Sequence, residues 1–110
     1  MVKKRADKIV EYLTKRLLES DINVYKVVLF GSQNNGNPNK DSDLDLAVIS
    51  DDFKNKSIWD RGPMIMDLER EVMKKFDIPI DLIKLTVEEY ENETRMIASY
   101  VKEGKVVYSK

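Results

Sequence analysis

Cysteine and histidine are both absent from the 110 residues. Their absence removes disulfides, thiol nucleophiles, imidazole general bases and the usual zinc ligand sets together. Any chemistry must therefore run on carboxylates, hydroxyls, lysine, arginine and a hard metal ion. A charge excess of one sign is also missing. The 19 basic and 20 acidic side chains leave a formal net charge of −1, so no broad field draws the chain to nucleic acid or to an anionic membrane. No apolar run approaches the roughly 20 residues that a bilayer span needs. The basic start "MVKKRADKIVEYL" lacks the uninterrupted apolar stretch and the small-residue cleavage site of a signal peptide. These absences lead us to expect a cytoplasmic protein with no membrane or direct nucleic-acid partner.

What is present suits one small folded unit spanning residues 1–110, since 42% of the residues are hydrophobic and a chain of this size fills a single core. Ala6, Ile9, Val10, Leu13 and Leu17 follow the three-and-four spacing of an amphipathic helix over about 3–20. "VYKVVLF" (24–30) and "LDLAVIS" (44–50) read as strands on either side of the polar loop "GSQNNGNPNKDS". Ile65, Leu68, Glu69, Val72, Met73 and Phe76 outline a second helix over 60–76, with one polar member in its stripe. "IPIDLIKL" (78–85) is a third strand, with Pro79 at its start or at a sheet edge. Thr86 and Glu89 form a capping box opening a last helix that runs to about Glu103, with Gly104 as its C-cap. "KVVYS" supplies a short fourth strand. The order predicts an α+β fold with a small mixed sheet of three to four strands and helices packed on it. Trp59, Tyr90, Tyr100 and Tyr108 are assigned mainly to the core, with some left for a partner surface.

Asp43 and Asp45 are one residue apart, so a strand aims both at one face, about 6.5 to 7 Å apart, while Leu44, Leu46 and Val48 fill the other. Like charges this close repel and need a cation or a cluster of donors. Asp81, between Ile80 and Leu82, would be costly if buried without a partner. If its strand lies beside 43–49, it completes a three-carboxylate site whose oxygen ligands suit magnesium or manganese. Gly31 and Ser32 directly follow the first strand, where glycine lets the backbone approach a phosphate and the next amides can hold an anion. Each piece alone has an ordinary reading as a turn, a loop cap or a salt-bridged edge residue. Together they point to nucleoside triphosphate chemistry. Rival motifs fail. Asn37 and Pro38 stand where a P-loop beginning at Gly31 needs Lys and Ser or Thr, and an EF-hand beginning at Asp41 would put Leu46 at its obligatory glycine.

Gly31 and Ser32, the ten residues "QNNGNPNKDS", and then Asp43, Leu44 and Asp45 resemble the signature of the minimal nucleotidyltransferases of the DNA polymerase β superfamily. The flanking apolar strands and the later Asp81 extend the likeness from residue 24 to about 108. The resemblance implies the polymerase β-like nucleotidyltransferase fold and transfer assisted by two Mg²⁺ ions, with Mn²⁺ as an alternative. In that scheme Asp43 and Asp45 bridge both ions, Asp81 holds the catalytic one, and Gly31 and Ser32 bind the β- and γ-phosphates. It further implies an antitoxin that takes ATP and adds AMP to a tyrosine of a HEPN ribonuclease toxin. In place of the basic "GSRARG"-like stretch of many members, this chain has uncharged Gln33, Asn34 and Asn35, which leaves Lys40, Lys54, Lys56 or Arg61 as substitutes. The short chain leads us to expect that a partner protein or another copy of the chain supplies the acceptor side, in a homo- or hetero-oligomer. The alternatives are a catalytically inactive binding antitoxin and a small-molecule transferase of the aminoglycoside-modifying kind.

Overall fold

The computed structural model describes residues 5–31 and 44–110. The expectations for Ser32, Gln33, Asn34, Asn35, Lys40 and Asp43 lie outside these residues, as does the start of the first helix. Helix α1 (Arg5–Glu19) leads into β1 (Lys26–Phe30) and β2 (Leu44–Ile49). A 3₁₀ turn (Asp51–Phe53) and helix α2 (Ile58–Phe76) then carry the chain to β3 (Ile80–Leu85), α3 (Val87–Glu91), α4 (Met96–Lys102) and β4 (Lys105–Ser109). The strands form one mixed sheet in the order β3-β2-β1-β4. β1 is antiparallel to both β2 and β4, and β3 is parallel to β2. A parallel pair needs a crossover, and α2 provides it. The fourth strand and the mixed sheet agree with the sequence reading. Among the described residues no helix is long and apolar enough to cross a membrane.

Strand alternation sorts the apolar side chains to the two faces of the sheet. Val27, Leu29, Leu44, Leu46, Val48, Ile80 and Leu82 meet Ile9, Leu13 and Leu17 of α1 and Ile65, Leu68 and Val72 of α2 on one side. On the other, Val28, Phe30, Ala47, Ile49 and Leu85 meet Tyr90, Ala98 and Val101 from α3 and α4. The polar member of the α2 stripe has a partner: Glu69 accepts from Lys84 at 3.5 Å, both half-buried.

Three expectations are corrected. Residues 87–103 do not form one helix. The chain breaks between α3 and α4 at Glu93, whose φ of 50° is left-handed, and Tyr90, Ala98 and Val101 are all buried against the sheet. Gly104 is not a left-handed helix cap: among the described glycines Gly31 alone has a positive φ, and α4 ends at Lys102 with Glu103 as its C-cap. Its glycine is needed for close approach, since a Cβ there would lie 2.6 Å from the Leu29 carbonyl oxygen of β1. The aromatics divide evenly: Tyr90 is buried and Tyr108 packs partly against the core, whereas Trp59 is 86% and Tyr100 60% exposed. Trp59 stands on the first part of α2, ahead of Pro63 and a kink at Ile65 (φ −131°). Proline removes an internal hydrogen bond and bends the helix there.

Candidate active site

The site is built where three strands begin or end together. β1 finishes at Phe30, and its antiparallel neighbour β2 has Asp45 opposite that residue. On the other side of β2, Asp45 is in register with Asp81 of the parallel strand β3. Directly paired residues on adjacent strands project to the same face, with backbones about 4.8 Å apart. Asp45 and Asp81 therefore share the face of Ala47, Ile49 and Leu85, and Leu44, Leu46 and Val48 lie in the opposite core cluster. That division is the one the alternation of the sequence requires. Helices α3 and α4 pack against Val28, Phe30, Ala47, Ile49 and Leu85, while Asp81 itself is exposed.

Asp81 corrects one premise of the sequence reading, because it is exposed near the start of β3 and not buried at its centre. Its carboxylate therefore carries no burial penalty and stands ready for a ligand from solvent. Asp45 is half-buried. Gly31, immediately after β1, has φ +82°, and a Cβ on it would lie 2.2 Å from Asp45 Oδ2. An L side chain at that position would meet both backbone strain and the carboxylate itself. Gly31 and Asp45 are thus one packed unit. Asp43 and Ser32 lie outside the described residues, so the structure brings together Gly31, Asp45 and Asp81 of the five expected site residues.

The donor chemistry fits a hard divalent cation. Asp45 and Asp81 offer oxygen ligands only, neighbours of like charge favour a bound cation, and among the described residues no lysine or arginine pairs with Asp81. No group of three metal-ligating side chains occurs among the described residues. Asp43, one residue before β2, is the position from which a third carboxylate would come.

Of the basic residues named as substitutes at the triphosphate, Lys54, Lys56 and Arg61 are placed elsewhere. Arg61 is buried in a structural clip. It donates to the carbonyls of Lys56 and Lys84, each at 3.0 Å, and to Glu89 through Nη1 at 2.6 Å and Nη2 at 3.2 Å. Glu89 also closes the capping box, accepting from the Thr86 amide at 2.8 Å while Thr86 Oγ1 accepts from the Glu89 amide at 3.1 Å. Burial pushes the Glu89 carboxyl up, but the Arg61 and Thr86 hydrogen bonds and the charges of Arg61 and Arg95 outweigh it and hold the carboxyl below its usual range. Lys54 pairs with Asp51 at 3.8 Å. It and Lys56 follow the far end of β2 from Asp45. The sequence signal for the Arg61 clip is the capping-box glutamate itself, whose charge needs a partner once Thr86 is buried.

Comparison with known proteins agrees with this geometry. A family model described as polymerase beta, nucleotidyltransferase matches residues 8–110. The protein adenylyltransferase MntA of Aphanizomenon flos-aquae is 33% identical over 101 residues, which cover 87% of this chain and 64% of that protein. The chain thus spans just under two thirds of the length of this curated relative. Among solved structures, a candidate nucleotidyltransferase from Sulfolobus solfataricus superposes with a TM-score of 0.72 at 20% identity, covering 100% of this chain and 93% of the other. A tri-AMPylated Shewanella oneidensis HEPN toxin in complex with an MNT antitoxin gives a TM-score of 0.54 at 18% identity, over 96% of this chain and 70% of that one. At these identities the structural likeness speaks to fold alone. With a family model covering nearly its whole length, the chain belongs to the polymerase beta nucleotidyltransferase family.

Proposed function

We propose that this protein is a cytoplasmic, metal-dependent protein adenylyltransferase that silences a HEPN ribonuclease toxin by moving AMP from ATP onto one of its tyrosines. The observation that carries the reading is the register of Asp45 with Asp81 and the packing of Gly31 onto Asp45, which join a phosphate-binding turn to a carboxylate pair. The relative named as a protein adenylyltransferase and the complex of an AMPylated HEPN toxin with an MNT antitoxin support the choice of nucleotide and partner.

Asp43, Asp45 and Asp81 would hold the magnesium ions. Bound there, the metal would neutralise triphosphate charge and favour the ionised form of the attacking hydroxyl. The chain itself positions the reactants. Gly31 and Ser32 would hold the β- and γ-phosphates through backbone amides and the hydroxyl. Asp45, fixed against Gly31, sets where the α-phosphate lies, and exposed Asp81 faces the incoming acceptor. The tyrosine oxygen forms a bond to the α-phosphorus as the bond to the β-phosphate bridging oxygen breaks, and pyrophosphate leaves.

The test is pyrophosphate release and label transfer from α-labelled ATP in the presence of the HEPN partner. We expect both to require magnesium, to stop on chelation, and to fall by more than about a hundredfold in Asp45→Asn, since losing a ligand exceeds the effect of losing its supporting shell. Transfer that survives both chelation and Asp45→Asn would overturn the assignment. A stable complex without transfer would instead indicate an inactive binding antitoxin.

A further inference from the structure

The geometry of the sheet assigns a direction to the acceptor. In an in-line displacement the attacking and leaving oxygens stand on opposite sides of the phosphorus. Across the sheet the order is Gly31 after β1, Asp45 on β2 and Asp81 on β3. With pyrophosphate on the Gly31 side, the attacking hydroxyl arrives from the Asp81 side. Beyond Asp81 there is no further strand among the described residues, because β3 is the outer strand of the sheet.

That outer edge has unused pairing capacity. The carbonyls of Pro79 and Leu85 accept from the amides of Leu44 and Ser50 at 3.1 and 2.9 Å, so odd-numbered positions face β2. Ile80, Leu82 and Lys84 consequently present their amides and carbonyls outwards. The Lys84 carbonyl is taken by Arg61. Among the described residues nothing takes the outward groups of Leu82.

The edge also lies in a groove. A cavity of about 300 Å³ has Leu82, Ile83 and Lys84 as its floor, with Ile58 and Arg61 of α2 on one wall and Arg95 and Ile97 at the start of α4 on the other. Ile83 is two residues from Asp81 on the same strand face, about 6.5 to 7 Å along the strand. The break between α3 and α4 is what brings Arg95 and Ile97 here. Three cations and no carboxylate line the groove. Arg61 is committed to Glu89, and Lys84 to Glu69 at 3.5 Å. Arg95 reaches Glu89 only at 4.0 Å, and Arg61 already holds both oxygens of that carboxylate.

We propose that the acceptor protein docks as an extended segment added to the outer edge of β3. It pairs with Leu82, seats an apolar side chain between Ile58 and Ile97, sets an acidic residue against Arg95, and so presents its hydroxyl over Asp81. The mode is strand addition, in which main-chain bonds give affinity and side-chain pockets give selectivity. The direction of approach rests on the adenylyltransferase reading; the docking surface is measurable without turnover.

The test uses the full chain and a HEPN-type toxin as the proposed partner. Ile58 is 58% exposed, so Ile58→Arg fills the groove without opening the core, and Arg95→Glu reverses its charge. For each variant the affinity for the HEPN protein is measured without nucleotide, and KM is measured for the HEPN protein and for ATP. Amide hydrogen exchange at Leu82 is followed in the wild-type complex. We expect affinity for the HEPN protein to fall by about tenfold or more in each variant, the range of a central interface contact. KM for ATP should stay unchanged, and the Leu82 amide should become protected in the complex. Unchanged affinity in both variants, or an unprotected Leu82 amide, would overturn the docking site. A rise in KM for ATP alone would also overturn it, by giving the groove to the nucleotide base. Absence of AMP transfer by the wild type, with docking intact, would count against the proposed function and not against this surface.

Discussion

At the scale of single residues, the account turns on Gly31, Asp45 and Asp81. Asp81→Asn removes a charge from an exposed position, so urea unfolding should change by less than about 0.5 kcal/mol, while AMP transfer is lost. A variant that unfolds early would mean that Asp81 is structural. Gly31→Ala should act on both properties. The +82° φ and a Cβ 2.2 Å from Asp45 Oδ2 predict a loss of about 1–2 kcal/mol from backbone strain alone, together with a clear fall in transfer as Asp45 is displaced; chemical denaturation and label transfer on one preparation check this. The sequence made these residues legible because each breaks a local rule: a glycine ending an apolar strand, and carboxylates inside apolar runs. It did not reveal that Asp81 is exposed, since exposure depends on where α3 and α4 stop covering the sheet. Nor could it place Arg61, whose buried bond to Glu89 joins two segments far apart in the chain.

At the scale of elements, the strands, α1 and the capping box follow from alternation, apolar spacing and the Thr86–Glu89 pair, and the structure reproduces them. The break at Glu93 was not legible. "ENETR" contains no glycine or proline, and the turn is decided by how Tyr90, Ala98 and Val101 meet the sheet. Pro63 marks the kink in α2 that the sequence reading did not foresee, and Trp59 stands exposed ahead of it. The Arg61 clip ties the start of α2 to β3 and α3. Arg61→Ala leaves the half-buried Glu89 carboxylate without its main partner, which should cost about 1.5–3 kcal/mol, read as a lowered urea midpoint. Because Arg61 lies in this clip, destabilisation should come without a matching loss of ATP affinity in the folded fraction. A selective loss of ATP affinity would return Arg61 to the triphosphate.

At the scale of the whole molecule, two carboxylates link folding to pH. Glu71 accepts from Arg16 Nε at 3.0 Å and Nη2 at 3.1 Å, and from the Tyr12 hydroxyl at 2.5 Å. The Arg16 bonds first, and then the Tyr12 bond, hold its carboxyl down at about 2. Glu89 is likewise held below its usual range. A carboxylate depressed in the folded state makes the unfolded chain the better proton binder. Its stabilising contribution is therefore present above the unfolded value of about 4.5 and is lost as pH falls towards the folded value. Unfolding free energy should be nearly flat from neutral pH to about 5 and then decline with acid, less steeply in Glu71→Gln. A molecule equally stable at about pH 3 and pH 7 would contradict these two pairings. The central claim concerns chemistry, and its most direct test is the intact mass of a HEPN-type toxin, taken as the proposed partner, after incubation with this chain, magnesium and ATP. The account predicts a gain of one AMP mass or a multiple of it, localised to tyrosine and absent with Asp45→Asn. An unchanged mass alongside a stable complex would contradict it.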